Sequence, residues 1–278
     1  MAERQHRQAR GAVVVVAVLM AGACAAGCSG GGSGPADALA ADPVGTLRRA
    51  PDTLVDTGSS KASTSMEMAT GGTRVTIRGE GVYDYRGRLG RLRVLLPQDP
   101  AGTSEHRPIT ELLAPGALFM KNRGAGVPAD KWVRVDTAGL SDGNLVTGGA
   151  TDPLAAAEVL RGTRTATYVG VTELAGTEVR HYRGTADLTA AARSASAANR
   201  GVLAAAAKGF ATAAVPFDVY LDDEGRIRKV RHRFSFVNGQ QPGTVAVAST
   251  TLLYDFGVAA DVRLPAARDI YAGKIAEG

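Results

Sequence analysis

Residues 73–85 read Thr-Arg-Val-Thr-Ile-Arg-Gly-Glu-Gly-Val-Tyr-Asp-Tyr, and their pattern of side chains indicates the fold class. Apolar side chains and glycines occupy most of the odd positions, whereas arginine, threonine, glutamate and aspartate occupy most of the even ones. Successive side chains of a β-strand point to opposite faces of the sheet. The period of two therefore predicts an antiparallel strand with one buried and one solvated face.

The same alternation continues on both sides of this stretch. Residues 63–68 alternate before it and residues 91–96 after it, with turns at Gly71-Gly72 and Arg86-Gly87. Further strands are predicted at 109–113, 117–122, 131–136, 165–171, 177–184, 217–221, 226–236 and 244–256, which makes about eleven in all.

Three helices are expected between and before these strands. Asp42-Pro43 and Asp152-Pro153 each place a capping residue before a proline of the first helical turn. Pro51 is expected to kink or divide the first helix, which ends at Gly58, and the second ends at Gly162. The alanine-rich residues 190–210 predict the third, which Gly201 is expected to weaken in its middle. Because helices do not alternate with strands, the sequence predicts an α+β domain over residues 42–278 without a parallel sheet.

The N-terminus has the organisation of an export signal. Residues 1–10 carry three arginines, residues 12–21 are apolar, and Ala25-Ala26-Gly27 precede Cys28. This pattern resembles a bacterial lipobox, which predicts a signal peptide at 1–27 and an acylated Cys28. Cys24 is a second candidate, and a secreted protein with an incidental Cys28 is the alternative. Residues 28–41, rich in glycine, serine and alanine, are expected to form a flexible tether.

Charge and motif content exclude several function classes. The net charge of the 278 residues is +5, and the leader accounts for two of these charges, so no nucleic-acid partner is expected. His106, His181 and His232 are isolated in the mature chain, and no histidine or cysteine pair has metal-ligand spacing. No nucleophile elbow or phosphate-binding loop is present. We therefore expect no metal, no cofactor and no catalytic residues.

A family resemblance covers most of the mature chain. It is carried by the lipobox, Lys131-Trp132-Val133-Arg134-Val135-Asp136, Asp152-Pro153-Leu154, His181-Tyr182-Arg183-Gly184 and Val219-Tyr220-Leu221-Asp222, followed by Gly225-Arg226-Ile227-Arg228-Lys229-Val230. These segments resemble actinobacterial envelope lipoproteins of the LppX/LprG type, whose fold is similar to the LolA and LolB carriers. Tyr220 departs from the tryptophan found in many relatives.

The resemblance implies a strongly curved antiparallel sheet, an incomplete barrel, closed by helices. Relatives hold acyl chains in the apolar space between the sheet and the helices. Glycines at 79 and 81 suit such curvature. The candidate lining residues are Met66, Met68, Val75, Ile77, Leu92, Val94, Leu118, Met120 and Trp132. The same residues can instead form a filled core, since alternation does not distinguish the two.

A basic cluster near the C-terminus is a candidate contact for anionic headgroups or the membrane surface. It comprises Arg226, Arg228, Lys229, Arg231 and Arg233. The alternative is a solvated strand face that charge protects against edge-to-edge pairing.

Two functions remain open from the sequence. The leading hypothesis is a non-enzymatic lipoprotein, exported and held on the outer face of the cell membrane by acyl groups on Cys28, that binds or carries a lipid or other amphiphile. The alternative is an interaction or sensory module of the envelope with a filled core. The sequence names neither the ligand nor a protein partner.

Overall fold

The structure is a computed structural model that describes residues 41–70, 73–97, 107–124, 126–146, 151–237 and 244–273. All of them belong to one compact unit, Gly34–Gly278. The predicted signal peptide at 1–27, Cys28, Cys24, His106 and nearly all of the tether lie outside the described residues. No helix in the described ranges is long and apolar enough to cross a membrane.

Eleven strands and four α-helices build the described part of the chain. The strands are β1 (Ser59–Thr70), β2 (Thr73–Asp84), β3 (Leu89–Leu95), β4 (Ile109–Ala114), β5 (Ala117–Lys121), β6 (Trp132–Asp136), β7 (Thr163–Leu174), β8 (Thr177–Asp187), β9 (Ala214–Leu221), β10 (Ile227–Val237) and β11 (Thr244–Tyr254). The helices are α1 (Pro43–Thr57), α2 (Pro153–Val159), α3 (Leu188–Ser194) and α4 (Ala197–Gly209).

All eleven strands belong to one antiparallel sheet that does not close into a barrel. Their order is β6-β5-β4-β3-β2-β1-β11-β10-β9-β8-β7, so two meanders meet where β1 pairs with β11. The consecutive strands β6 and β7 are the two edges, and the residues between them must therefore cross one face of the sheet. Leu145, Val146 and Leu154 of this crossing segment are buried in the main hydrophobic core. The predicted α+β class with a curved, incomplete barrel is confirmed.

Both predicted helix starts are confirmed by their caps. The Asp42 side chain accepts a hydrogen bond from the Gly45 backbone N–H at 2.9 Å, and Asp152 accepts from Leu154 and Ala155 at 2.8 and 3.0 Å. The predicted division at Pro51 is wrong, because α1 continues through this proline to Thr57.

The third predicted helix is two helices, and the break does not lie at Gly201. Ala195 and Ser196 are extended, with ψ near 155° in both, and separate α3 from α4. The Ser196 backbone N–H and hydroxyl donate to the buried carboxylate of Glu158 on α2, at 3.3 and 3.0 Å. This long-range contact stabilises the break, whereas Gly201 stays helical within α4.

Close approach of two strands requires a glycine at position 81. Gly81 is paired with Leu92, and a Cβ at position 81 would lie 1.8 Å from the Arg91 carbonyl oxygen on β3. No ordinary side chain fits there without moving β3 away from β2. Gly81 therefore supports the close approach of β2 and β3, and the curvature expected from the glycines at 79 and 81 stays a prediction.

We expect Gly81→Ala to lower the free energy of unfolding by about 2 kcal/mol or more, because the methyl group overlaps backbone atoms. Gly139→Ala is the control, since a Cβ there meets nothing within 4 Å, and its effect should stay within about 0.5 kcal/mol. Urea unfolding measures both. Equal, small effects of the two substitutions would contradict this account of the β2–β3 approach.

Candidate ligand-binding interior

Eight of the nine predicted lining residues lie on one face of the sheet, called here the inner face. Met66, Leu92, Val94 and Leu118 are at most 1% exposed, and Ile77 and Met120 are 9% and 8% exposed. Met68 and Val75 are partly buried and pack against the same core. The alternation of the strands thus brings these eight side chains together, and binding of a ligand by them stays a prediction.

Trp132 does not join them, and its place in the predicted lining is corrected. It packs on the opposite, outer face with Leu112, Phe119 and Ile270 of the C-terminal segment. The reason is the period of two along β6, which directs Val133 into the main core and its neighbour Trp132 outward. Beside Trp132 lies a cleft of about 580 Å³ that is also lined by Arg91, Lys121 and Arg263.

The interior between the sheet and the helices is closed around the central lining residues. Side chains with at most 1% exposure border no space that admits water. Leu47 and Leu54 of α1 and Leu154 of α2 belong to the same core cluster. The sequence left open whether the space between sheet and helices is a cavity or a filled core. In its centre, side chains of the helices fill this space.

The apolar interior reaches the surface at one end of the sheet. Six partly buried apolar side chains from neighbouring strand ends and connections form this rim, namely Met68, Val75, Leu96, Val127, Phe236 and Val245. Met68 is paired with Val75 and Phe236 with Val245. The rim therefore lies where β1 connects to β2 and β10 connects to β11, at the same end of the sheet. Phe210, which directly follows α4, packs against Phe236, with ring centroids 5.2 Å apart. The rim is continuous with the buried core.

Glu111 is a buried carboxyl group that the sequence reasoning missed. It lies on the inner face of β4, opposite Leu92 and Met120, and is 0% exposed. Neither carboxyl oxygen has a hydrogen-bond partner among the described residues. Burial raises the pKa of Glu111 to about 8, although the positive charge of Arg123 opposes this shift. At neutral pH the group is therefore mostly an uncharged acid inside an apolar wall.

His232 is a second buried polar group on the inner face. It is 1% exposed, and its Nε2 has no partner in the described part of the chain. Burial lowers the pKa of His232 to about 3, so the ring is neutral at physiological pH. The alternation of Val230, His232 and Phe234 could have placed His232 on the inner face, but the sequence analysis treated it only as an isolated histidine.

The predicted basic cluster is largely compensated by acidic side chains. Arg226 pairs with Asp222 and Glu224, at 2.8 Å each. Arg228 lies 4.0 Å from Asp222, Arg231 lies 3.6 Å from Glu67, and Arg233 lies 2.8 Å from Asp218. Lys229 lies over the ring of Tyr220, 5.0 Å from its centroid. Much of the cluster's charge is thus used within the protein, and headgroup contact stays a prediction.

Asp218 is the centre of a charged network on the outer face. Burial alone would raise its pKa, but hydrogen bonds from Arg183, His181 and Arg233 lower the pKa of Asp218 to about 2. The His181 ring stacks on Tyr220 with centroids 4.4 Å apart. This network holds β8, β9 and β10 together. In the described ranges, no group of three or more metal-ligating side chains is present.

Solved structures that are similar to this chain include the following three, all at low sequence identity. The chain is similar to the lipoprotein LppX of Mycobacterium tuberculosis, with 9% identity over 80% of this chain and 100% of that one, at a TM-score of 0.46. It is also similar to LprF of Mycobacterium bovis, with 12% identity over 82% of this chain and 98% of that one, at a TM-score of 0.41. A third similar structure is a LolA superfamily protein of Nitrosomonas europaea, with 11% identity to this chain. The match covers 76% of this chain and 93% of that one, at a TM-score of 0.34.

LppX and the LolA superfamily are among the proteins that the sequence resemblance named. No protein-family model matches the chain, and no curated protein matches it.

Glu111 should make the protein less stable as the pH rises. Its pKa is higher in the folded protein than in the unfolded chain, so the folded state binds the additional proton between about pH 4.5 and pH 8. Its contribution to stability therefore falls across this window, with a limiting slope of about 1.4 kcal/mol per pH unit. Glu111→Gln removes this contribution. The free energy of unfolding of the variant, relative to that of the wild type, should therefore increase from pH 5 to pH 8.

Urea unfolding at pH 5, 6.5 and 8 measures this difference. Glu80→Gln is the matched control, because Glu80 is exposed on the outer face of β2, and it should keep the wild-type dependence on pH. A constant difference between Glu111→Gln and wild type over the three pH values would show that Glu111 ionises normally.

Proposed function

We propose that the protein is an exported, non-enzymatic lipoprotein that binds or carries a lipid or another amphiphile between its sheet and its helices. Acyl groups on Cys28 would anchor it to the outer face of the cell membrane. The observation that carries the proposal is the rim, where six apolar side chains at the surface are continuous with the buried inner face. An acyl chain that enters from the rim between the sheet and the helices would be removed from water.

The energetics of such binding are favourable. Each methylene group removed from water contributes roughly 0.8 kcal/mol, before the cost of ordering the chain and the protein. Because the central lining is closed, an acyl chain must displace interior side chains to enter. Met66, Met68 and Met120 are suited to this, since an unbranched thioether side chain repacks at low cost.

Mass spectrometry of bound lipid tests the proposal directly. The full chain is expressed in its own host, purified, and extracted with organic solvent. We expect at least one acyl-bearing species in stoichiometric amount besides the covalently attached chains. An extract without any such species would overturn the proposal.

A charge at the rim should block entry of an acyl chain. Val75→Asp introduces a carboxylate next to Met68, which the incoming chain would have to desolvate. We expect at least a tenfold loss of recovered lipid. Val82→Asp is the control on the same strand, because Val82 is also half-buried but faces outward. Equal lipid recovery from the two variants would exclude the rim as the entrance.

Cys28 should be the acylation site. In Cys28→Ser the protein is expected to lose metabolic labelling with palmitate and to leave the detergent phase in Triton X-114 partitioning. Cys24→Ser should keep both properties, because the glycine- and serine-rich segment begins directly after Cys28. Labelling that depends on Cys24 and not on Cys28 would move the anchor to Cys24.

The closed interior favours a second candidate function. Met66, Leu92, Val94 and Leu118 already have the packing of a filled core, as an interaction or sensory module of the envelope would have. Such a module binds a protein partner through its outer face or its connections. Cross-linking in the native membrane would then recover one specific partner, while the extract of the purified chain would hold no acyl ligand.

A further inference from the structure

A strip of polar side chains interrupts the apolar inner face where β1, β11 and β10 lie side by side. It consists of Thr64 on β1, Thr251 and Ser249 on β11, and His232 on β10. Thr64 is paired with Thr251, and His232 is paired with Ser249. All four side chains are at most 3% exposed, so the strip lies deep below the helices and not at the rim.

Two side chains of the strip are satisfied by the protein itself. The Ser249 and Thr151 hydroxyl groups are 2.7 Å apart, and Thr151 also donates to the Leu145 carbonyl oxygen at 3.0 Å. The Thr64 hydroxyl donates to the Gly79 carbonyl oxygen at 3.5 Å. The contacts of Thr151 connect the crossing segment to β11 and use the hydroxyl protons of both Thr151 and Ser249.

The other two side chains carry atoms without a partner. Neither the Thr251 Oγ1 atom nor the His232 Nε2 atom has a hydrogen-bond partner among the described residues. Thr251 and His232 lie diagonally across the β10–β11 pair, where the backbones of such partners are about 7–8 Å apart. Both are 1% exposed, so a small group that bridges their side chains has to displace neighbouring side chains, as the acyl chain does. Native proteins rarely leave two neighbouring buried polar groups unsatisfied, and doing so costs free energy.

The surroundings of these two atoms are apolar and uncharged. Met66 is paired with Ser249, Val230 with Thr251, and Phe217 with His232. The Phe234 ring lies 5.7 Å from the His232 ring. The nearby charged residues Glu67 and Arg231 occupy the alternate strand positions and pair with each other at 3.6 Å. An ionised ligand group would therefore find no opposite charge at this place.

We propose that His232 and Thr251 form a hydrogen-bonding subsite for an uncharged polar group of the bound amphiphile, an ester carbonyl at the head of an acyl chain. The proposal rests on the function proposed above and names the chemistry of that same site. A carbonyl oxygen accepts two hydrogen bonds, and both partners can donate them.

The protonation state of the ring agrees with this role. Burial keeps His232 neutral by lowering its pKa to about 3, and a neutral imidazole with its proton on Nε2 is a donor without charge. The Thr251 hydroxyl rotates freely to donate or accept. The acyl chain beyond the carbonyl would then lie along Met66 and its apolar neighbours, in the direction of the rim.

A pair of probes that differ only in the ester tests the proposal. The probes are methyl 12-(1-pyrenyl)dodecanoate and 1-dodecylpyrene, whose binding to the full chain in amphipol is followed by pyrene fluorescence. We expect the wild-type protein to bind the ester roughly tenfold more tightly than the hydrocarbon, since the ester satisfies donors that the hydrocarbon leaves unpaired.

Variants of the two residues should remove this preference. In Thr251→Val and His232→Leu the ester and the hydrocarbon should bind within about twofold of each other, with affinity for the hydrocarbon unchanged. His232→Gln, whose amide nitrogen takes the place of Nε2, should restore part of the preference. Thr250→Val is the matched control on the outer face of β11 and should behave as wild type.

The outcomes separate this proposal from the function on which it rests. If the wild-type protein binds neither probe, the proposed function itself fails. If it binds both probes and Thr251→Val and His232→Leu keep the ester preference, only the subsite is overturned. Binding of both probes without any preference in the wild type would mean that the ester group does not reach these two atoms, which also overturns the subsite.

Discussion

One sheet face has to be buried along eleven strands, and this constraint determines the interior of the protein. Because β6 and β7 are opposite edges, the chain must cross that face to pass from one meander to the other. Four short helices and this crossing segment supply the only described cover. The cover is complete in the middle, where Leu92 and Val94 are fully buried, and incomplete at the rim. An apolar interior with an apolar edge at the surface follows from this arrangement.

The polar atoms inside that interior distinguish it from an ordinary core. Burial keeps both Glu111 and His232 uncharged, because it raises the pKa of the carboxyl group and lowers the pKa of the imidazole. An uncharged acid, a neutral imidazole and a free hydroxyl offer hydrogen bonds without offering charge. A core that serves stability alone gains from replacing such groups by hydrocarbon. Their presence supports the proposal that the interior binds a ligand, and the lack of an opposite charge beside His232 favours an uncharged group there.

The sequence was most informative where the physics is local. Alternation predicted the strands, and an aspartate before a proline predicted both helix starts. The same alternation could have placed Trp132 outward, since it directly precedes the inward-facing Val133 of β6. The division between α3 and α4 depends on Glu158, which is distant in the chain, and the β1–β11 pairing depends on contacts across the whole sheet. Neither has a local signal. Alternation also cannot separate a filled interior from a lined cavity.

Quenching of a single tryptophan by a brominated acyl chain tests most directly whether the ligand enters the interior. The native Trp132 reports the outer face, and Phe234→Trp in a Trp132→Phe background reports the inner face between His232 and the rim. Methyl 9,10-dibromostearate should quench the indole introduced at position 234 and leave the native Trp132 fluorescence unchanged. Quenching of Trp132 without quenching at position 234 would place the acyl chain on the outer face and contradict the account.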